Sequence, residues 1–447
     1  ALSTNGVAAL AITAAVAGST GVTITNSSAH TATASVQNGV NGSSAITSSN
    51  GAISITSTTN STAIPVNYTG ALSAKTGITI NATGASGATI ASLAGMTLTG
   101  AGSSLSVTAN NAAAGGSSGI VTAGTISLAS GSGLSLVSNN LINQTGAISV
   151  AANVSGTASN LVFDATTGSS ASAITTGNIT FVTGSTSDVN LTIKSKGSAL
   201  NPGTVGTSLL NLPGVLTIDN TNGGAVAAAN AVAGVGLTLN GAMYAGKGVV
   251  LSGVSNGNNA IQTSAAVVTA NGNLVVNALG TSAIAYSGSA AAGTLTATNG
   301  SVSLTSTSTT GSAINIVTGA TITAKTGITL NATSTTAATV ATVDVLTVTG
   351  AGANISFTGN DTASGANLGV DVGNVNLANG SSLSLISNNK ITQTGTIASA
   401  VNTNGAASSI LFDATTGSNA SAVTIGTLTI AAATSTSDIN LLVKSKG

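Results

Sequence analysis

Residues 74–83 read Ala-Lys-Thr-Gly-Ile-Thr-Ile-Asn-Ala-Thr, and residues 324–333 read Ala-Lys-Thr-Gly-Ile-Thr-Leu-Asn-Ala-Thr. Within each stretch, large aliphatic residues alternate with Thr or Asn. This two-residue period is typical of a β-strand with one buried and one exposed face. Because the same strand returns after 250 residues, the chain contains a long internal repeat. A repeat of short strands predicts stacked coils rather than a globule with one pocket.

Two other segments return at the same spacing. Residues 163–169 (Phe-Asp-Ala-Thr-Thr-Gly-Ser) are found unchanged at 412–418, and residues 194–197 (Lys-Ser-Lys-Gly) are found again at 444–447. The offset is 249 to 250 residues throughout.

This spacing predicts how the chain is organised. We expect residues 1–197 to be a truncated copy of the repeat unit and residues 198–447 to be one full unit. Both should lie in one continuous β-solenoid, because no Pro-rich or charged linker divides them.

A shorter motif recurs inside the repeat: Gly, then any residue, then Val, Ile or Leu alternating with Ser or Thr. Each copy ends at Asn-Gly, Ser-Gly, Thr-Gly or Asn-Asn, which are turn formers. The Asn pairs at 139–140 and 388–389 fall at such turns, where stacked Asn side chains could hydrogen-bond from coil to coil. Clear examples of the motif lie at residues 51–55, 77–80, 124–128, 146–150, 177–181 and 300–304.

Many short strands could build a sandwich, a barrel or a solenoid. The uneven spacing of the motif favours a solenoid, since insertions bulge outward from stacked coils without disturbing their neighbours. An aromatic content of 2% also suits a narrow core in which like side chains stack. We therefore predict an all-β fold, a parallel and right-handed β-solenoid forming an elongated rod, with coils of roughly 20–25 residues.

Composition excludes several classes of protein. The chain has eight Lys and eight Asp but neither Arg nor Glu, so its net charge is zero. Charged residues make up 4% of the chain, against about 25% in an ordinary domain. A chain this poor in cations cannot neutralise a nucleic-acid backbone. With 42% hydrophobic residues, it also lacks the composition of a disordered protein.

Membrane insertion and metal binding are not expected either. The apolar stretches at 7–17 and 225–235 are too short for a membrane span of about 20 residues. Zinc sites need Cys or clustered His, and the chain has no Cys and one His. We predict no catalytic, cofactor-binding or metal-binding residue and no cofactor.

The runs at 124–129, 146–150 and 177–180 (Gly-Thr-Ile-Ser-Leu-Ala, Gly-Ala-Ile-Ser-Val and Gly-Asn-Ile-Thr) resemble the degenerate repeats of filamentous haemagglutinin-like exoproteins and of large autotransporter passengers. The resemblance covers the whole chain and rests on a compositional motif. It implies a bacterial surface or secreted β-helix that extends from the cell and adheres to something.

The candidates for catalysis are few. His30 lies in a polar loop, and the second copy has no matching His. Asp188 precedes Lys194 and Lys196, and the arrangement returns at Asp438, Lys444 and Lys446. The simpler interpretation of both is a local ion pair or a charged edge. The remaining carboxylates are scattered: Asp164, Asp219, Asp344, Asp361, Asp371 and Asp413. The expectation is therefore a protein that is not an enzyme, with a solenoid polysaccharide-active enzyme as a weaker alternative.

Ice binding is a second alternative, because some β-solenoids bind ice through Thr-x-Thr ladders. Here Ser, Asn and Ala interrupt the pattern, and outward Ser and Thr are also what a solvated strand face contains. The Thr-x-Thr segments lie at 23–25, 97–99, 294–296, 321–323 and 347–349.

The expected function follows from the surface. A neutral face of Thr, Ser, Asn and Ala suits packing of rod against rod or of rod against another surface, whereas soluble monomers usually carry net charge. We expect an extracellular or bacterial cell-surface fibre, sheath or filamentous adhesin. Its partners would be further copies of itself, a surface or a neighbouring cell, with no nucleic acid and no transmembrane segment in this stretch.

Overall fold

The computed structural model describes most of the chain. The residues it leaves undescribed are 1, 5–9, 29–38, 60–62, 86–88, 113–117, 169–171, 196, 202–211, 222–232, 235, 240, 258, 264–266, 282–283, 290–292, 336–338, 363–366, 418–419, 432–433 and 447.

The chain forms two compact units, Ala1–Gly223 and Gly224–Gly447. Each unit is a parallel β-solenoid, and the described residues form strands and turns without any helix. The prediction of an all-β fold with a parallel β-solenoid is thereby confirmed. The repeat boundaries at 1–197 and 198–447 stay a prediction about the sequence.

The strands of the first unit are numbered in chain order. They are β1 (Leu2–Thr4), β2 (Leu10–Ile12), β3 (Val16–Gly18), β4 (Gly21–Ser28), β5 (Val40–Gly42), β6 (Ile46–Ser48), β7 (Ala52–Thr59), β8 (Val66–Tyr68), β9 (Leu72–Ala74), β10 (Gly77–Gly84), β11 (Ala91–Leu93), β12 (Met96–Leu98), β13 (Ser104–Asn111), β14 (Ser118–Thr122), β15 (Ile126–Leu128), β16 (Gly133–Ser138), β17 (Leu141–Gln144), β18 (Ile148–Val150), β19 (Ser159–Asp164), β20 (Ser172–Thr176), β21 (Ile179–Phe181), β22 (Val189–Lys194), β23 (Gly197–Asn201) and β24 (Leu216–Asp219).

The second unit continues the numbering. Its strands are β25 (Ala233–Gly234), β26 (Leu237–Thr238), β27 (Met243–Ala245), β28 (Val249–Gly257), β29 (Ile261–Gln262), β30 (Val268–Ala270), β31 (Leu274–Gly280), β32 (Tyr286–Ser289), β33 (Leu295–Ala297), β34 (Ser301–Ser308), β35 (Ile314–Ala324), β36 (Gly327–Ser334), β37 (Thr339–Val348), β38 (Asn354–Asp361), β39 (Leu368–Leu377), β40 (Ser382–Ser387), β41 (Lys390–Ser399), β42 (Ser408–Asp413), β43 (Val423–Ile430) and β44 (Ile439–Lys444).

Each coil of the first unit gives one strand to each of three parallel sheets. The chain runs from a long strand in the first sheet to short strands in the second and third sheets, and then returns to the first. Thus β4, β7, β10 and β13 lie side by side in the first sheet, whereas β3, β6, β9 and β12 do so in the third. In the second unit, β35, β37, β39, β41 and β43 each run through both the second and third sheets.

The core consists of columns of side chains stacked in register. One column of the first sheet contains Ile24, Ile55, Ile80, Val107 and Leu136, all fully or almost fully buried. Successive members are 25 to 31 residues apart. The expected coil of 20–25 residues was therefore too short, because the turns between sheets take more residues than the strand motif reveals.

The predicted hydrogen bonds between Asn side chains and neighbouring coils are present. The Asn139 amide donates to the Asn111 carbonyl at 2.7 Å and accepts from the Asn111 N–H at 2.8 Å. In the second unit Asn388 bonds the backbone of Asp361 in the same way. At the ends of these strands, the two side-chain hydrogen bonds of each Asn take the place of the backbone hydrogen bonds between strands.

Candidate functional surface

A flat patch of small polar side chains covers three neighbouring strands of the first sheet. On β7, β10 and β13, every second residue points away from the core. Beyond the first column, which holds Ala52, Gly77 and Ser104, these residues are Ser, Thr or Asn. They stack in three columns with no register shift. We call this patch the polar grid of the first unit, and it consists of Ser54, Thr56, Thr58, Thr79, Asn81, Thr83, Ser106, Thr108 and Asn110.

The second unit carries the same patch on β34, β36 and β38. The polar grid of the second unit consists of Ser303, Thr305, Thr307, Thr329, Asn331, Thr333, Ser356, Thr358 and Asn360. All nine residues are identical to their counterparts in the first unit.

The buried side of the same strands is less well preserved. Ile55 corresponds to Leu304 and Val107 to Phe357, although all four side chains are buried. Surface substitutions usually change stability by less than about 0.5 kcal/mol, whereas core substitutions are costly. Folding alone would therefore restrict the core more than the grid. Folding alone therefore does not explain the identity of the nine grid residues, whereas the first outward column of the same strands does change, from Ala52 to Ser301 and from Ser104 to Asn354.

Sheet geometry fixes the spacing of the grid. Neighbouring strands lie about 4.8 Å apart, and alternate residues along one strand are about 6.6 Å apart. The exposed or half-exposed grid residues are hydroxyls and amides, and each of these groups can both donate and accept hydrogen bonds. The grid is a regular, uncharged array of groups that bind other neutral polar groups.

Charged residues follow the grid in the same sheet. In the first unit, Asp164, Lys194 and Asp219 stack in register on β19, β22 and β24. In the second unit, Asp413 and Lys444 stack on β42 and β44, and their Oδ2 and Nζ atoms are 3.2 Å apart. We call these residues the charged column.

Each Asp of the charged column ends its strand with a local hydrogen-bonded turn. Asp413 Oδ1 accepts hydrogen bonds from the backbone N–H and the hydroxyl of Thr415, and Asp164 and Asp219 make the same contacts with Thr166 and Thr221. The two Thr415 bonds, with a contribution from Lys444, hold the pKa of the Asp413 carboxyl below its usual value. These carboxylates serve the backbone of the coil, as Asx turns do.

The structure separates Asp188 from Lys194 and Asp438 from Lys444, which the sequence analysis had grouped. Asp188 and Lys194 stand at opposite ends of β22, about 20 Å apart along an extended strand, and Asp438 and Lys444 flank β44 likewise. Lys444 pairs with Asp413 of the neighbouring coil rather than with Asp438. The interpretation of this motif as a local ion pair or a charged edge stays a prediction, and His30 and Lys196 lie outside the described residues. Lys446 donates to the Gly417 carbonyl at 2.9 Å.

Two carboxylates of the second unit line the same depression, although the sequence did not indicate them as a pair. Asp344 and Asp371 line one shallow depression with Thr342 and Thr394. Asp344 accepts a hydrogen bond from the Gly319 N–H at 2.6 Å, and burial raises the pKa of the half-buried Asp371 carboxyl. Within the described part of the chain, no three His, Cys, Asp or Glu side chains lie close enough together to hold a metal ion.

The Thr-x-Thr segments do not form one surface. Residues 23–25 lie in the first sheet, whereas Thr97, Thr296, Thr323 and Thr347 lie in the third. The last three stack in register in the second unit. In the first unit the corresponding column mixes Ser and Thr, so the third sheet carries a single hydroxyl column per unit.

Sequence reasoning did not find the polar grid. Its signal is present in the sequence as identical residues at offsets of 249 to 250. Those residues form a patch only once the register between coils is known, and coils of uneven length hide that register.

Comparisons with known proteins add no further identification: no family model matches the chain, and no match is found among curated proteins or solved structures. The described residues include no helix that is long and apolar enough to cross a membrane. The fold and the surface define the class, a parallel β-solenoid repeat protein.

Proposed function

We propose that this chain is a non-enzymatic structural repeat segment of an extracellular bacterial fibre, sheath or filamentous adhesin, of the filamentous haemagglutinin-like or autotransporter type. The observation that carries the proposal is the polar grid, which is repeated without change in both units while the core beneath it varies. An enzyme would instead be expected to preserve a cleft with ionisable groups.

Charge supports the same function. A net charge of zero favours association over dispersal, and a neutral surface meets a second neutral surface without repulsion. The resemblance of the Gly-x-Ile-x-Leu runs to exported surface repeats supports an extracellular or cell-surface location.

Microscopy of the purified chain tests the proposal. We expect negative-stain images to show filaments or bundles that lengthen or thicken with protein concentration. Immunolabelling of intact producing cells should also place the chain outside the cell. A chain that stays monomeric at every accessible concentration, or that is labelled only after permeabilisation, would contradict the proposal.

Ice binding is the second candidate, since a flat, uncharged and regular hydroxyl array is what adsorption to an ice face requires. The specific observation in its favour is the in-register Thr column at Thr296, Thr323 and Thr347, together with the grids. Thermal hysteresis in dilute solution would support this function, and a freezing point equal to the melting point would exclude it.

A further inference from the structure

We propose that the polar grid is the surface through which one copy of this chain packs laterally against a second copy. This inference rests on the proposed function and names the contact that it requires. It concerns the patch on β7, β10 and β13 of the first unit and the matching patch on β34, β36 and β38 of the second.

The chemistry of the grid selects the partner. Anionic partners such as nucleic acid or acidic lipid need Lys or Arg, and the grid contains neither. An apolar partner needs exposed aliphatic or aromatic side chains, and these are missing from the nine positions as well. Hydroxyl and amide groups can both donate and accept hydrogen bonds. One grid is therefore complementary to another grid.

Periodicity points to the same partner. Every polar column repeats at the strand spacing of about 4.8 Å, and a second copy has the identical period. Two grids therefore stay in register over all their strands once one pair of residues is aligned. Small side chains also let two sheets approach to about 10 Å, as in the interfaces of stacked sheets.

The pattern of substitution separates the grid from the neighbouring surfaces. In the third sheet, the outward residues Ser73, Ser127 and Ser149 correspond to Thr323, Asn376 and Ala398. Beyond the grid in the first sheet, the outward residue Val162 corresponds to Leu411. Solvated faces of the same coils have therefore changed between the two copies, but the nine grid positions have not.

The area of a grid sets the strength of the contact. Three strands of eight residues cover about 400 Å², half of the roughly 800 Å² that each partner buries in a stable complex. One grid should therefore bind weakly and reversibly. Since each chain carries two grids, the association should rise steeply with concentration.

A pair of matched variants tests this inference. Thr79→Lys with Thr329→Lys places one charge on the middle strand of each grid, and like charges would then face each other in the contact. Thr97→Lys with Thr347→Lys adds the same charges to the third sheet. All four Thr side chains point away from the core on described strands, so both variants should fold, which circular dichroism and the urea midpoint would verify.

Sedimentation velocity over a concentration series provides the measurement. We expect the wild type and the third-sheet variant to associate equally, and the grid variant to need at least a tenfold higher concentration. The variant pair Thr79→Val and Thr329→Val, which removes hydroxyls without adding charge, should weaken association by a smaller factor.

The outcomes separate this inference from the proposed function. If the grid variant associates like the wild type, the lateral contact lies elsewhere and the inference is wrong. The proposed function as a fibre would not be contradicted by that result. If the wild type never associates, the proposed function fails as well. If the wild type is monomeric and shows thermal hysteresis that the grid variant lacks, the grid binds ice and not a second copy.

Discussion

Single Asn residues hold neighbouring coils together where strand pairing stops. Asn139 makes two hydrogen bonds to the backbone of Asn111, and Asn139→Ala would leave both backbone groups without this partner. An unsatisfied group of this kind costs about 1–3 kcal/mol. We expect Asn139→Ala to lower the free energy of unfolding in urea by that amount. Asn110→Ala, at an exposed position of β13, is the control and should change it by less than about 0.5 kcal/mol.

Two Asp residues should give the stability opposite dependences on pH. The pKa of Asp413 is lowered by its Thr415 hydrogen bonds, so its carboxylate stabilises the fold above the usual pKa of about 3.9, and this stability is lost as pH falls through the folded pKa. The pKa of Asp371 is raised by burial. Its ionisation therefore destabilises the fold, and the penalty disappears as pH falls through that raised pKa.

The matching experiment compares Asp413→Asn with Asp371→Asn by urea unfolding at neutral and at acidic pH. At neutral pH the first variant should be less stable than the wild type, and the second more stable. Both differences should shrink at acidic pH, where the wild-type carboxyls are protonated. A loss of stability in Asp371→Asn at neutral pH would show that the carboxylate is needed where it lies.

Along a strand, the two faces have separate roles. On β10, Ile80 is fully buried and Thr79 points outward, as the alternation in the sequence predicts. Truncating a buried Ile costs about 2–5 kcal/mol because a cavity remains. Ile80→Ala should lower the unfolding free energy by this amount and Thr79→Ala by less than about 0.5 kcal/mol. Equal effects would mean that the register of β10 is shifted by one residue.

A feature of this structure can be predicted from the sequence when the residues that form it lie close together in the chain. The alternation in Gly77–Gly84 lies within one strand, so β10 and its buried face could be predicted. The contact between Lys444 and Asp413 joins residues 31 positions apart, and the coil length that would connect them varies from 25 to 31 residues. The sequence therefore does not reveal Asp413 as the partner of Lys444, whereas Asp438, six extended residues away, is about 20 Å distant along the strand.

At the scale of the whole molecule, none of the eight Lys and eight Asp residues occupies any of the nine grid positions of either unit. The charged column, at Asp164, Lys194, Asp219, Asp413 and Lys444, lies on strands that follow each grid in the chain. Opposite charges occupy neighbouring coils, and exposed pairs of this kind contribute at most about 1 kcal/mol. The column therefore places charged groups where they hold neighbouring coils in register, and its three Asp and two Lys sum to a formal charge of −1.

This separation predicts how association responds to salt. A contact between neutral grids involves no ion pair, so its dissociation constant should be nearly the same at low and high NaCl, and across neutral and mildly acidic pH. If copies instead met through Lys444 and Asp413, screening would weaken association as ionic strength rose, because the Debye length falls to about 3 Å at 1 M salt. Sedimentation of the wild type at several salt concentrations distinguishes the two contacts. Association that disappears in high salt would assign the lateral surface to the charged column and remove it from the grid.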